Sequence, residues 1–302
     1  MAPLYLIDAY IYIFRPYFAL PERWHSGEGY PTQAVYGYLG FLLNLLEQQQ
    51  PDYIAAAFDE SLGSCFRNDI YPDYKANRVL PDEGLAFQLK ACAEVTHLLG
   101  IAGLASDSHE ADDIIGTLAC KGRADGHPVM VVSRDKDLAQ LLRDGDSIWD
   151  FGQGEPRDRA EIKRQLGVWP EQLADYLALV GDPVDNIPGV PGVGPKTAAA
   201  MLSHFGTLDA VLAAGERLLE LPVRGAASLE AKIMEHRDRI KIARRLTAIA
   251  EDAPVQAGSL RRQAPALDEL REFCRRMGFG EGYFKRAARL AEQQALISEE
   301  QV

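Results

Sequence analysis

Three short apolar runs in the first half of the chain each lead to an aspartate, and this pattern of buried strand followed by acid constrains the fold more than any other feature. Leu4-Tyr-Leu-Ile7 precedes Asp8, Tyr53-Ile-Ala-Ala-Ala-Phe58 precedes Asp59, and Val129-Met-Val-Val132 leads through Ser133-Arg134 to Asp135. Helical patterns over 33–49, 85–99 and 111–124 lie between and around them. Strands alternating with helices build βαβ units, so residues 1–155 are expected to form an α/β unit, a mostly parallel central sheet flanked by helices. In such a sheet the site lies outside the carboxyl ends of the strands, where these acids converge on one crevice.

More acids follow in Glu110-Ala-Asp112-Asp113, Asp135-Lys-Asp137 and Asp182-Pro-Val-Asp185. Each group has a plain structural explanation. Asp-x-Asp is common on solvated loops, one acid before a helix compensates its dipole, and Asp182 and Asp185 beside Gly181 and Pro183 suit a turn. Three acids within 110–113 exceed what a helix start needs, and Glu110 and Asp113 share a face at i, i+3. That many negative charges in one crevice repel unless divalent cations sit among them, which points to a multi-carboxylate Mg2+ or Mn2+ site.

The chain has 302 residues, 47% of them hydrophobic, enough for one large or two modest domains around a sizeable core. A net charge of -12 argues at first against a phosphate-rich partner. Its distribution reopens the question, because the acids gather in the crevice while Arg and Lys gather in 67–78, 237–245 and 275–289. No basic segment precedes the first apolar stretch, which Asp8 interrupts, and no run approaches the roughly 18 apolar residues of a membrane span. The expectation is no signal peptide, no membrane and a bacterial-type cytoplasm. Cys65, Cys92, Cys120 and Cys274 lack Cys-x-x-Cys spacing, which argues against zinc, and the six histidines form no ligand set.

After about residue 155 strand signals fade and short helical patterns follow, at 159–166, 170–180, 195–204, 207–214 and 226–250, giving a helical region over 156–290. Within it, Ile187-Pro-Gly-Val-Pro-Gly-Val-Gly-Pro-Lys-Thr-Ala198 is a glycine-rich turn opening a helix at Pro195, whose exposed N–H groups make a phosphate seat. Proline separates Gly194 from Lys196, breaking the Walker order, and Thr197 stands where a third dinucleotide glycine belongs, so no nucleotide cofactor is expected. The doubled glycines resemble a helix-hairpin-helix turn, which grips a nucleic-acid backbone without reading bases; a plain helix connection is the other reading. Residues 59–82 are turn-rich and mixed in charge, a long functional loop or short helical insert in which Lys75 and Arg78 follow Tyr71 and Tyr74. The end of the chain reads as a helix over 267–277, a break at Gly278-Phe-Gly280, a basic helix to Arg289 and a frayed tail over 291–302.

Taken together, Ile7-Asp8, the segment 29–37, Phe58-Asp59, Phe66-Arg67, Tyr74-Lys-Ala-Asn-Arg78, Glu110-Ala-Asp-Asp113, Ser133-Arg-Asp-Lys-Asp137 and the run from Gly181-Asp182 to Ala198 resemble the 5′ nuclease, or flap endonuclease, family. This family includes the N-terminal domain of bacterial DNA polymerase I and its stand-alone relatives. The resemblance covers residues 4–284, and with no polymerase following, the free-standing form is the expectation. It implies a PIN-like sheet with a helical arch near 60–85 and a helix-three-turn-helix near 182–205. It also implies Asp8, Asp59, Glu110, Asp112 and Asp113 around a first metal, with Asp135, Asp137, Asp182 and Asp185 completing a second cluster. Lys75 and Arg78 would be catalytic cations on the scissile phosphate. Arg15, Arg67, Tyr74, Gly189, Gly192, Gly194, Lys196 and Thr197 would contact DNA, with the turn presenting carbonyls to K+ as in relatives. The implied activity is hydrolysis by two Mg2+ ions, Mn2+ substituting, of DNA bearing a 5′ flap, overhang or single-stranded 5′ end, by a monomer that associates with the nucleoid when bound to DNA. The products would carry a 3′-OH and a 5′-phosphate. Competing readings are a PIN-like ribonuclease and a non-catalytic branched-DNA-binding protein.

Overall fold

The computed structural model describes residues 1–61 and 63–300. The first half runs β1 (Leu4–Asp8), α1 (Ala9–Ala19), α2 (Gln33–Gln49), β2 (Tyr53–Asp59), α3 (Phe66–Ile70), α4 (Glu83–Leu98), β3 (Ala102–Ser106), α5 (Ala111–Ala124), β4 (Val129–Val132) and β5 (Ser147–Trp149). These five strands form one parallel sheet in the order β3-β2-β1-β4-β5. Register aligns their carboxyl ends: Ile7 lies opposite Val132, Asp8 opposite Ala57, and Asp59 opposite Ser106. The strand order turns about β1, so its end is the topological switch point where a crevice opens.

Both sheet faces are covered, as a parallel sheet requires. Leu4, Leu6, Val129 and Val131 pack toward Ile114, Ile115 and Leu118 of α5. Ile7, Ile54 and Ala56 pack toward Leu39, Leu42 and Leu46 of α2 and Val95 of α4. Removing each such large aliphatic side chain from water is worth about 1.5–3 kcal/mol. α1 meets α2 closely because Gly37 has no side chain: a Cβ there would lie 2.1 Å from Cβ of Pro16.

The second half holds α6 (Arg159–Leu166), α7 (Leu173–Val180), the antiparallel pair β6 (Gly181–Asp182) and β7 (Ile187–Pro188), α8 (Pro195–Phe205), α9 (Leu208–Leu212), α10 (Leu229–Glu235), α11 (Arg237–Thr247), α12 (Leu267–Arg276) and α13 (Gly282–Glu300). Leu177, Met201, Leu202, Ile240 and Leu246 join the apolar core under α5, so packing continues from the sheet into α7, α8 and α11.

Four expectations change. The helical region does not stay together to residue 290, since Leu270, Phe273 and Met277 of α12 and its C-terminal flank, with Leu290 of α13, give an apolar stripe to the core of α2 and α4 instead. The tail expected to fray from 291 is helical as far as Glu300, and 301–302 lie outside the described residues. The pattern over 226–250 breaks at His236 between α10 and α11. Over 60–85, where a helical arch was implied, the described helix is confined to α3 and the start of α4. The intervening 71–82 is turn and extended chain bounded by Pro72 and Pro81, with Val79 and Leu80 exposed. Among the described residues no helix is long and apolar enough to cross a membrane.

Candidate active site

At the carboxyl edge of the sheet lies a crevice of about 510 Å³ lined by Asp8, Asp59, Glu110, Asp112, Asp135, Asp137, Asp182 and Asp185. Asp8 and Asp59 end β1 and β2, Glu110 caps α5 with Asp112 in its first turn, and Asp182 and Asp185 come from the turn after α7. Local hydrogen bonds shape the β4 loop. Ser133 Oγ donates to Asp8 Oδ2 at 2.8 Å, Asp135 N donates to Ser133 Oγ at 2.9 Å, and Asp137 N donates to Asp135 Oδ1 at 2.8 Å. Ser61 holds Asp59 through its N–H and hydroxyl, at 3.3 and 3.0 Å.

The acids burden one another. Burial, with the charges of Asp135 and Asp59, pushes the Asp8 carboxyl up to about 7 against the lowering hydrogen bond from Ser133. Burial and the charges of Asp135, Asp182 and Asp185 push Asp137 up to about 7. Asp112 is raised well above the carboxylate range by burial, then Asp135 and Asp8. Asp59 and Asp185 are raised mainly by burial, and Lys75 opposes the rise in both.

The donor set fits hard divalent cations. It consists of carboxylate oxygens, and Asp137 Oδ1 is buried without a hydrogen-bond partner, an atom waiting for a positive charge. Among the described residues no three acids, histidines or cysteines already close into an ion cage. Protein cations meet part of the charge instead. Lys75 Nζ pairs with Glu110 Oε1 and lies 3.5 Å from Asp185 Oδ2, while Arg78 pairs with Asp185 at 2.9 Å. Burial alone would lower the Lys75 ammonium, but Glu110 and Asp185 carry it upward on balance. Lys75 adopts φ 52°, unusual for a non-glycine residue, and its N–H donates to Asp185 O at 3.1 Å. Asn77 Nδ2 donates to Val184 O and Asn186 Nδ2 to Asp73 O, at 3.3 and 2.7 Å, so the 73–78 segment is laced to the 182–186 turn.

Three residues leave the roles that the resemblance implied for them. Asp113 is no crevice ligand: it is 0% exposed and takes a bidentate pair from Arg67 at 2.7 and 2.7 Å, plus the N–H groups of Ala250 and Glu110 at 2.8 and 3.0 Å. The i, i+3 spacing with Glu110 builds a capping box, turning Asp113 inward. Arg67 is no DNA contact, being 2% exposed with its other N–H groups on Leu246 O and Ala248 O, both at 2.8 Å. Tyr74 is no DNA contact either: it is 3% exposed, donates to Glu110 Oε2 at 2.7 Å and lies 3.4 Å from Asp185 Oδ2, so its ring offers no face to a base.

Arg15 lines the crevice and donates to Asp150 at 2.7 Å. In the helix pair formed by α7 and α8, Gly192 is exposed at φ 78° and Gly194 caps α8 with open space around its Cα. Lys196 is exposed and Thr197 half-buried. Gly189 answers to packing, since a Cβ there would meet Val180 O at 2.1 Å. Sequence reasoning missed Tyr10, Phe14 and Phe18 of α1, and Arg134 and Lys136, all lining the crevice. The aromatics recur at i, i+4, i+8, a signal available in the sequence; the two cations alternate with the acids of the 133–137 segment and carry no separate signal there.

Residues 3–167 match the family profile described as "5′-3′ exonuclease, N-terminal resolvase-like domain", and residues 168–268 the one described as "5′-3′ exonuclease, C-terminal SAM fold". DNA polymerase I of Pseudomonas aeruginosa is 40% identical over 252 residues, 83% of this chain and 27% of that protein. The 5′-3′ exonuclease of Aquifex aeolicus is 38% identical over 212 residues, 70% of this chain and 73% of that protein. The chain thus spans about a quarter of the polymerase and about three quarters of the exonuclease. Among solved structures, the T5 5′-exonuclease with bound zinc superposes with a TM-score of 0.67 at 19% identity, covering 96% of this chain and 98% of that one, a likeness of fold.

Proposed function

The chain belongs to the 5′-3′ exonuclease family, and from that premise we propose that it is a divalent-metal-dependent 5′ nuclease acting on DNA with a 5′ flap, overhang or single-stranded 5′ end. The observation that carries this reading is the convergence of eight carboxylates on one crevice at the switch point of the sheet. Asp8, Asp59, Glu110 and Asp112 would hold one ion, and Asp135, Asp137, Asp182 and Asp185 a second. Mg2+ is the proposed resident, with Mn2+ as its substitute. Held there, two such ions would supply the means to activate water at neutral pH and to offset charge on a leaving oxygen. The protein's own contribution is charge and position. Lys75 and Arg78 sit on Glu110 and Asp185, and once those carboxylates face metal the two cations are free to turn to the scissile phosphate, where charge builds in the transition state. The turn from Gly192 to Lys196 at the start of α8, with Gly192, Pro195 and Lys196 exposed and Val193 buried beneath them, is suited to a duplex backbone through its amides, and its carbonyls are the proposed K+ seat. The proposed working unit is the monomer.

Labelled 5′-flap, overhang and single-stranded DNA incubated with Mg2+, Mn2+ or EDTA test the reading. Products ending in 3′-OH and 5′-phosphate are expected with either metal and none with EDTA. Metal-independent product, or no product on any substrate, would overturn it. Equal cleavage of RNA and DNA flaps would move the assignment to a ribonuclease.

A further inference from the structure

Five cations line the acid crevice, and they fall into two groups. Arg15 is tied to Asp150, Lys75 to Glu110 and Arg78 to Asp185. Arg134 and Lys136 are exposed, and among the described residues their side chains make no ion pair or hydrogen bond, although the chain carries 44 acids against 32 Lys and Arg. The loop geometry accounts for this. The Asp135 N–H is held on Ser133 Oγ and the Asp137 N–H on Asp135 Oδ1, so the loop alternates half-buried acid with exposed base. Asp135, Asp137 and the two long cations all line the crevice; Lys136 eases the charge on Asp137, but neither cationic side chain is held in an ion pair or hydrogen bond among the described residues. Lys136 immediately precedes the short 3-10 helix Asp137–Leu141, which packs against α7, so it stands on the side of the helix pair.

Two unpaired cations beside an acid cluster, on the side of the helices proposed to grip duplex, suit an anion that arrives with the substrate. We propose that Arg134 and Lys136 form a phosphate subsite for the phosphodiester next to the scissile one, on its duplex side. This rests on the nuclease reading above. Arg134 and Lys136 flank Asp135 in the chain and line the same crevice, which puts them in reach of a phosphate beside the ions that Asp135 would serve, and a cation there also offsets the repulsion between the acid crevice and the incoming strand.

The test scans a 5′-flap substrate with single methylphosphonates, each neutralising one phosphate, against wild type, Arg134→Ala/Lys136→Ala and Arg134→Lys/Lys136→Arg. Neutralising the phosphate on the duplex side of the cut should lower wild-type kcat/KM roughly tenfold, as loss of charged hydrogen bonds does. The alanine pair should lose a similar factor on unmodified DNA and lose little more, about twofold at most, on that neutralised substrate. The slope of log affinity against log salt, measured with Ca2+, should fall by about 1–2 in the alanine pair. The Lys/Arg exchange should keep the wild-type response. Multiplying losses, an alanine pair with wild-type kcat/KM and salt slope, or non-additivity only on the flap side would overturn the subsite while leaving the nuclease reading standing. Absence of any metal-dependent product from wild type would overturn both.

Discussion

Asp137→Asn should make the metal-free protein more stable while abolishing its activity. In the fold Asp137 is raised to about 7, first by burial and then by Asp135, Asp182 and Asp185, and its Oδ1 has no hydrogen-bond donor. In the unfolded chain the carboxyl ionises near 4. Between those values the folded state holds the proton more tightly than the unfolded state does, so this group lowers stability as pH rises. The penalty is nearly absent below about pH 4, amounts to roughly 1.4 kcal/mol at pH 5 and reaches roughly 4 kcal/mol above pH 7. Asparagine removes the charge but keeps a buried amide, which costs about 1–3 kcal/mol where partners are lacking. The net expectation is about 1–3 kcal/mol of added stability at pH 8 and little or none at pH 4.5. Thermal denaturation in EDTA across pH 4.5–8 measures it, as a Tm gap of a few degrees that widens with pH. Mg2+ should raise the Tm of wild type more than that of the variant, narrowing the gap. A gap of the same size at both ends of the range, or a less stable variant at pH 8, would refute the argument that metal-site repulsion is held in the empty fold.

Asp113→Asn should do the opposite, destabilising by about 3 kcal/mol by removing the bidentate carboxylate of the buried Arg67 guanidinium and leaving it only the Glu110 carboxylate at 3.3 Å; denaturant unfolding at pH 8 measures this, and a stabilised variant would return Asp113 to the metal cluster. Lys75→Ala should slow single-turnover cleavage by roughly 10²-fold with a much smaller change in flap affinity; loss of affinity alone would make Lys75 a positioning contact. Gly192→Val places a branched side chain at φ 78°, 2.7 Å from the Lys232 ammonium on a neighbouring helix, and should weaken binding to flapped duplex while sparing short single strands. Gel-shift titrations on protein shown folded by circular dichroism decide it; unchanged duplex affinity across a salt series would reduce the turn to a helix connector.

What the sequence reveals depends on how far away the partner lies. β1, β2 and β4 announce themselves because both faces are buried and the residues can be nothing but apolar, whereas Ala102-Gly-Leu-Ala-Ser106 makes the edge strand β3 with few β-forming residues, and α1 hides its period behind aromatics and an internal Pro16. The crevice acids are legible for a similar reason, since a strand end fixes where its next side chain points. Asp113 is not. Its sequence neighbours fit a ligand and a capping box equally well, and what decides between them is Arg67, 46 positions away, and the N–H of Ala250, 137 positions away. Tyr74 beside Lys75 looks like a stacking ring until the fold aims its hydroxyl at Glu110. The misread residues share one property: each pairs across the crevice base with a segment remote in sequence. Their pairing also has a physical use. A fold that keeps Asp8, Asp112 and Asp137 under mutual repulsion needs its walls fixed by something other than those acids, and the Arg67 guanidinium joins α3, the start of α5 and the 246–248 backbone in one buried node. Asp113, whose charge is matched deep inside the protein, holds the site, while Asp8, Asp112 and Asp137, which form no ion pair among the described residues, are among the acids proposed for metal.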